Sequence, residues 1–223
     1  MSNEQGKTFP LFVPIKFYKR SLILLLSVSI YNFWVLISPP SWLRYFFSKR
    51  NRKQENWIVE IWILILIGLL IISLTVLSLP AYLRYIIVFY ILLDTIGSTI
   101  RDIVISPIIY NDNKGPFLSI DNPSRWLIVS FINIFVVILA FAILFLEHGL
   151  QFAPTITDAT TAIYMSTVTF TTLGYGDIKP ICSVGKRLVL LELSYFLFFL
   201  LIKIPLAVSV IRTESRDKPS NKD

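Results

Sequence analysis

Residues 57–79 form an apolar run of 23 residues in which Glu60, near the start, is the only charge. Inside a bilayer every backbone N–H and C=O must find its partner within the segment, so a run of this length is expected to be a helix. At 1.5 Å per residue it spans about 34 Å, enough to cross. A second such helix is expected from Trp126 to Leu146. Of the 223 residues only 16% are charged and mean hydropathy is +0.68, too little polar surface for a soluble domain. An all-α, multi-pass protein of the cell membrane is expected, with the lipid bilayer as its main partner.

The remaining segments are less decisive. Residues 1–20 end in Lys16, Lys19 and Arg20 ahead of the apolar run Leu22 to Ile37, an order that imitates a signal peptide. The run is long, contains Trp34 and closes on Ser38-Pro39-Pro40 without a small-residue cleavage site, so it is expected to be retained. Residues 41–56 hold Arg44, Lys49, Arg50, Arg52 and Lys53 against one acid, Glu55, which marks a cytoplasmic segment. Helix 57–79 then runs outward and 81–105 returns. This places residues 22–37 either with an extracellular N-terminus or as an interfacial hairpin bent at Pro39-Pro40; the hairpin is the expectation. In residues 81–105, Asp94, Gly97, Arg101 and Asp102 follow the apolar centre, so the segment either packs a polar face against other helices or lies partly in the interface. Arg84 and Arg101 do not make a voltage sensor, which needs several arginines at helical spacing. Residues 106–125 read as a loop, and Asp121-Asn122-Pro123 as the start of the next helix. His148 is expected as a solvated residue at that helix's end.

The net charge of +7 is spread between apolar runs and predicts topology, not nucleic-acid binding. The single cysteine, Cys182, is expected to be a free thiol. Nucleophile, base and metal-ligand sets are not apparent, so no enzyme activity and no cofactor are expected.

The segment Thr169-Phe170-Thr171-Thr172-Leu173-Gly174-Tyr175-Gly176-Asp177 carries the chemistry. A potassium ion gives up its water only where oxygens replace the hydration shell at similar distances, and a backbone with its carbonyls on one side supplies them. That backbone needs φ of alternating sign, which suits Gly174 and Gly176, while the Thr172 hydroxyl adds a further oxygen.

TTLGYGD resembles the signature of the potassium-channel pore-domain family, with Leu173 where Val is commoner. The resemblance extends upstream, since residues 158–170 look like the short pore helix that precedes such filters. It implies an outer helix, a pore helix, a selectivity filter of Thr172, Leu173, Gly174, Tyr175 and Gly176, and an inner helix from about Gly185 to Ile211. K+ would be held at Thr172, Leu173, Gly174 and Tyr175 as the permeant ion. Thr157 or Asp158 would cap the pore helix, whose negative dipole end would favour a cation at the axis. One copy supplies a quarter of the ligands and the chain holds one filter, so a homotetramer is expected. Tyr175 argues for selectivity. Asp177 would attract cations at the mouth, and Tyr164 resembles the aromatic that braces this acid in related channels. Val168 stands where some members carry a carboxylate.

Glu192 and Lys203 are ionisable residues inside the inner helix and therefore functional candidates. Glu192 would support the filter from behind, through a water or a hydroxyl such as Ser166 or Thr167. Lys203 would either face the axis as a gate or snorkel to the inner interface. Pro205 is the expected bend, since no glycine interrupts residues 186–205. The expected division is a tail at 1–20, N-terminal membrane helices and basic loop at 21–125, the pore domain at 126–212 and a hydrophilic tail at 213–223. The expected function is passive, potassium-selective conduction; the rival is a non-conducting scaffold or regulatory subunit that keeps the pore fold.

Overall fold

A computed structural model describes residues 22–39, 55–76, 79–100, 123–203 and 205. The tails, Pro40, residues 41–54 of the basic segment 41–56, residues 101–105 of the segment 81–105 and residues 106–122 of the loop 106–125 lie outside these residues. The described residues form α1 (Leu22–Ile37), α2 (Glu55–Thr75), α3 (Ala81–Ile100), α4 (Pro123–Glu147), α5 (Ala159–Phe170) and α6 (Ser183–Phe198). A π-helical turn, Phe199–Lys203, extends α6. Two strands of two residues, β1 (Phe152–Ala153) and β2 (Lys179–Pro180), pair antiparallel, with Phe152 opposite Pro180. Among the described residues the fold is all-α apart from this pairing. Ala81–Ile100 and Leu127–Glu147 are long and apolar enough to cross a membrane.

The chain divides into two compact units, one of Met1–Ile67 with Leu93–Pro116 and one of Gly68–Leu92 with Phe117–Asp223. In the first, α1 buries Val28, Tyr31, Trp34 and Val35. The Trp34 indole donates to Asp94 Oδ1 at 2.9 Å. A Cβ at Gly97 would fall 2.1 Å from Trp34 Cγ, so only glycine admits the indole here. The polar face expected on residues 81–105 thus packs against α1, at least at Asp94 and Gly97.

In the second unit, α2 stops at Thr75 instead of continuing to Leu79. The Thr75 hydroxyl donates back to the Ile71 carbonyl at 2.9 Å. Pro80 opens α3, its carbonyl accepting from Leu83 N at 3.0 Å. Arg84 is buried; it pairs with Glu147 and donates to the Val76 carbonyl at 3.0 Å. Glu147 thereby neutralises Arg84, one of the two arginines that sequence excluded as a voltage sensor. His148 is half-buried with Nε2 3.2 Å from the Tyr85 hydroxyl, and not simply solvated as expected.

The core of this unit is the inward side of α4, where Val136, Val137, Ala140, Phe141, Ala142, Ile143 and Phe145 are buried. Phe145 meets Phe152 edge to face at 5.3 Å and Phe141 meets Tyr195 at 5.6 Å, which fixes α6 and the β1 turn on α4. Phe170, at the end of α5, stacks on Phe196 and Phe199 at 5.7 and 6.1 Å. Residues 171–177 are consequently held by the end of α5 on one side and by β2 on the other.

Candidate functional site

The site begins with the caps of α5. Asp158 is extended (φ −135°, ψ 158°) and accepts from Thr161 N at 2.8 Å and from the Thr161 hydroxyl at 2.6 Å. Of the two residues that sequence offered as the cap, it is Asp158. The Thr161 hydroxyl and then its N–H hold the Asp158 carboxyl below the usual carboxylate range.

At the other end, Thr171 keeps helical angles, and Thr172 turns into the left-handed region at φ 58°. Thr172 N donates to Thr169 O at 3.0 Å, and Leu173 N to Val168 O at 3.0 Å. These two bonds are those of a Schellman cap, whose left-handed position usually belongs to glycine. A β-branched residue there is strained by about 1–3 kcal/mol. Sequence gave Thr172 a role through its hydroxyl; its backbone role was not visible, because propensity argues against threonine at this position.

Beyond it, Gly174 and Gly176 have φ of 56° and 76°, while Leu173 and Tyr175 do not share the positive sign. Sign alternation over successive residues sets peptide N–H groups on one side and carbonyls on the other. All of residues 171–177 are exposed in the single chain, including the large side chains of Leu173 at 59% and Tyr175 at 67%.

Asp177 closes the segment. The Tyr164 hydroxyl donates to its Oδ2 at 2.5 Å, and Ile178 N donates to Oδ1 at 3.0 Å. These donors, the hydroxyl first, hold the Asp177 carboxyl below its usual range. The expected aromatic brace is thus formed between α5 and the end of the segment. Val168 is buried and takes part only through its carbonyl. After Asp177 the chain is held by Ile181 N donating to Gln151 O at 2.9 Å and Cys182 Sγ to Gln151 Oε1 at 2.5 Å. Cys182 is a free thiol.

Glu192 is fully buried, and its Oε1 meets the Ser166 hydroxyl. Sequence offered Ser166 or Thr167 as its partner. Thr167 bonds back to Ile163 O at 2.8 Å, so the position belongs to Ser166. The Ser166 hydroxyl also lies 2.8 Å from the Ile138 carbonyl of α4.

Lys203 is the last residue of the π turn that extends α6. It is 3% exposed, with Nζ 5.2 Å from the centroid of the Phe199 ring. The helix widens to π geometry from Phe199, which places Lys203 four residues beyond that ring. The exposed side chains of that turn are Leu200, Leu201 and Ile202. Pro205 stands two residues after the turn, and the departure from α geometry begins at Phe199, upstream of the proline.

No curated protein and no solved structure matches the chain. Residues 129–213 match the family model described as an ion channel, a match that runs from α4 through α5 and the Thr172–Gly176 segment to the region beyond α6.

Proposed function

We propose that residues 129–213, which match the ion-channel family model, form a two-helix pore domain, and that this chain conducts potassium selectively and passively across the cell membrane as a homotetramer. The observation that carries the reading is the run of positive φ at Thr172, Gly174 and Gly176. Four such segments around an axis supply rings of carbonyls from Thr172, Leu173, Gly174 and Tyr175, with the Thr172 hydroxyl as a further oxygen, in place of the ion's water. One chain supplies a quarter of each ring, and the exposed Leu173 and Tyr175 side chains gain cover from neighbouring copies.

The other elements take roles around these rings. The C-terminal end of α5 directs its negative dipole toward the axis and favours a cation there. Asp177, kept ionised by Tyr164, raises the local cation concentration at the mouth. On α6 the exposed residues Leu190, Ser194, Leu197 and Leu201 recur at helical spacing and face the lumen, so the inner vestibule is largely apolar. The π turn before Pro205 is where the inner helix bends.

The test is purified protein in liposomes, with cross-linking to read its assembly. A cross-linked tetramer with potassium uptake that barium blocks is the expected result. A tetramer without flux supports instead a scaffold or regulatory subunit that keeps the pore fold.

A further inference from the structure

Glu192 has no exposed surface, and the two oxygens of its carboxyl differ: Oε1 meets Ser166, while Oε2 has no hydrogen-bond partner. The Ser166 hydroxyl has one hydrogen but lies within bonding distance of two oxygens, Glu192 Oε1 and, at 2.8 Å, Ile138 O. The Ile138 carbonyl is an acceptor only. If the serine hydrogen goes to it, the Glu192–Ser166 bond must take its hydrogen from Glu192. If the serine hydrogen goes to a carboxylate instead, the Ser166 and Ile138 oxygens lie 2.8 Å apart with no hydrogen between them, and a charged Oε2 is buried with no partner. An unpaired buried charge costs far more than a neutral carbonyl oxygen left without a bond.

The surrounding groups supply no compensating charge. On α5 the ionisable Tyr164 is committed to Asp177. On α4 Glu147 is paired with Arg84. On α6 the Tyr195 hydroxyl donates to Leu92 O at 3.2 Å, Lys186 and Arg187 are exposed, and Lys203 lies over Phe199. Among the described residues no cation partners Glu192.

We propose that Glu192 is a positioning residue that works as a neutral carboxylic acid, donating to Ser166, which donates in turn to Ile138. This relay ties α6 to α5 and α5 to α4 directly behind the Thr172–Gly176 segment. The functional consequence rests on the channel reading above: the relay holds α5, and hence the filter, in its conducting position.

The test compares full-length wild type with Glu192→Gln by infrared difference spectroscopy in lipid at neutral pH. The expected result is a protonated-carboxyl carbonyl band present in wild type and lost in the variant; a carboxylate band lost instead overturns the proposal. Ser166→Ala should keep that band but shift it, and an unmoved band overturns the bond to Ser166. Both spectra read the proton whether or not the protein conducts, so their failure is separate from failure of the channel reading. Potassium flux supplies the functional arm. Glu192→Gln, whose amide can still donate to Ser166, keeps flux within about twofold, and Glu192→Leu lowers it about tenfold, the scale of one lost buried bond. Leucine at wild-type flux, or glutamine as damaging as leucine, overturns the positioning role.

Discussion

Replacing Gly174 with alanine adds one methyl group that meets nothing within 4 Å in the protomer, so its effect comes through the backbone. At φ 56° an L-residue pays about 1–2 kcal/mol relative to glycine. If all four copies must hold this conformation for the rings to form, the cost is about 4–8 kcal/mol, or about 10³- to 10⁶-fold in the conducting population. Gly68 provides the control. It too has nothing within 4 Å of an added Cβ, but it lies inside α2 without a positive φ, so Gly68→Ala should stabilise by about 0.5–1 kcal/mol. Single-channel recording in planar bilayers, with tetramer thermal stability measured in parallel, compares the two. Gly174→Ala is expected to lose conduction or selectivity while the helices still assemble, and Gly68→Ala to conduct normally. Wild-type conductance and unchanged potassium-over-sodium permeability in Gly174→Ala would refute the carbonyl-ring argument.

Other outcomes follow from the same geometry. Because the folded pKa of Asp177 is depressed, its bond to Tyr164 holds above the ordinary carboxylate pKa and is lost only as pH falls through the folded value; Tyr164→Phe should move the acid loss of potassium current to higher pH, read as a shifted pH profile. Arg84→Gln leaves Glu147 without its partner in a site where the two side chains are 5% and 14% exposed, and should lower thermal stability by about 3–5 kcal/mol while leaving permeability ratios unchanged. Lys203→Gln should leave conductance unaltered, since the ammonium is turned onto Phe199 and away from the exposed leucines; a raised conductance would place it at the axis after all. Pro205→Ala should shift open probability, and an unchanged value would remove the bend as a gating element.

Much of the second unit was legible because its signals are local. Asp158 announces the start of α5, and two glycines around an aromatic announce a backbone of alternating sign. What stayed hidden depends on packing or runs against propensity. Thr172 at a left-handed position could not be read from a scale that reserves such places for glycine. The choice between Ser166 and Thr167 as the partner of Glu192 turns on which hydroxyl faces α4, and adjacent residues carry no mark of that. Nothing in the apolar run Phe199-Leu200-Leu201-Ile202 distinguishes a π turn from an α turn, so the burial of Lys203 beside Phe199 was invisible. That α2 ends at Thr75, short of Leu79, is something hydropathy does not register.

The most direct test of the account is the reversal potential of the purified protein in a planar bilayer with potassium on one side and sodium on the other. Carbonyl rings from Thr172 to Tyr175 predict a current that reverses far from zero, on the side set by potassium. A reversal at zero, with both ions carrying current equally, would contradict selective dehydration by this segment.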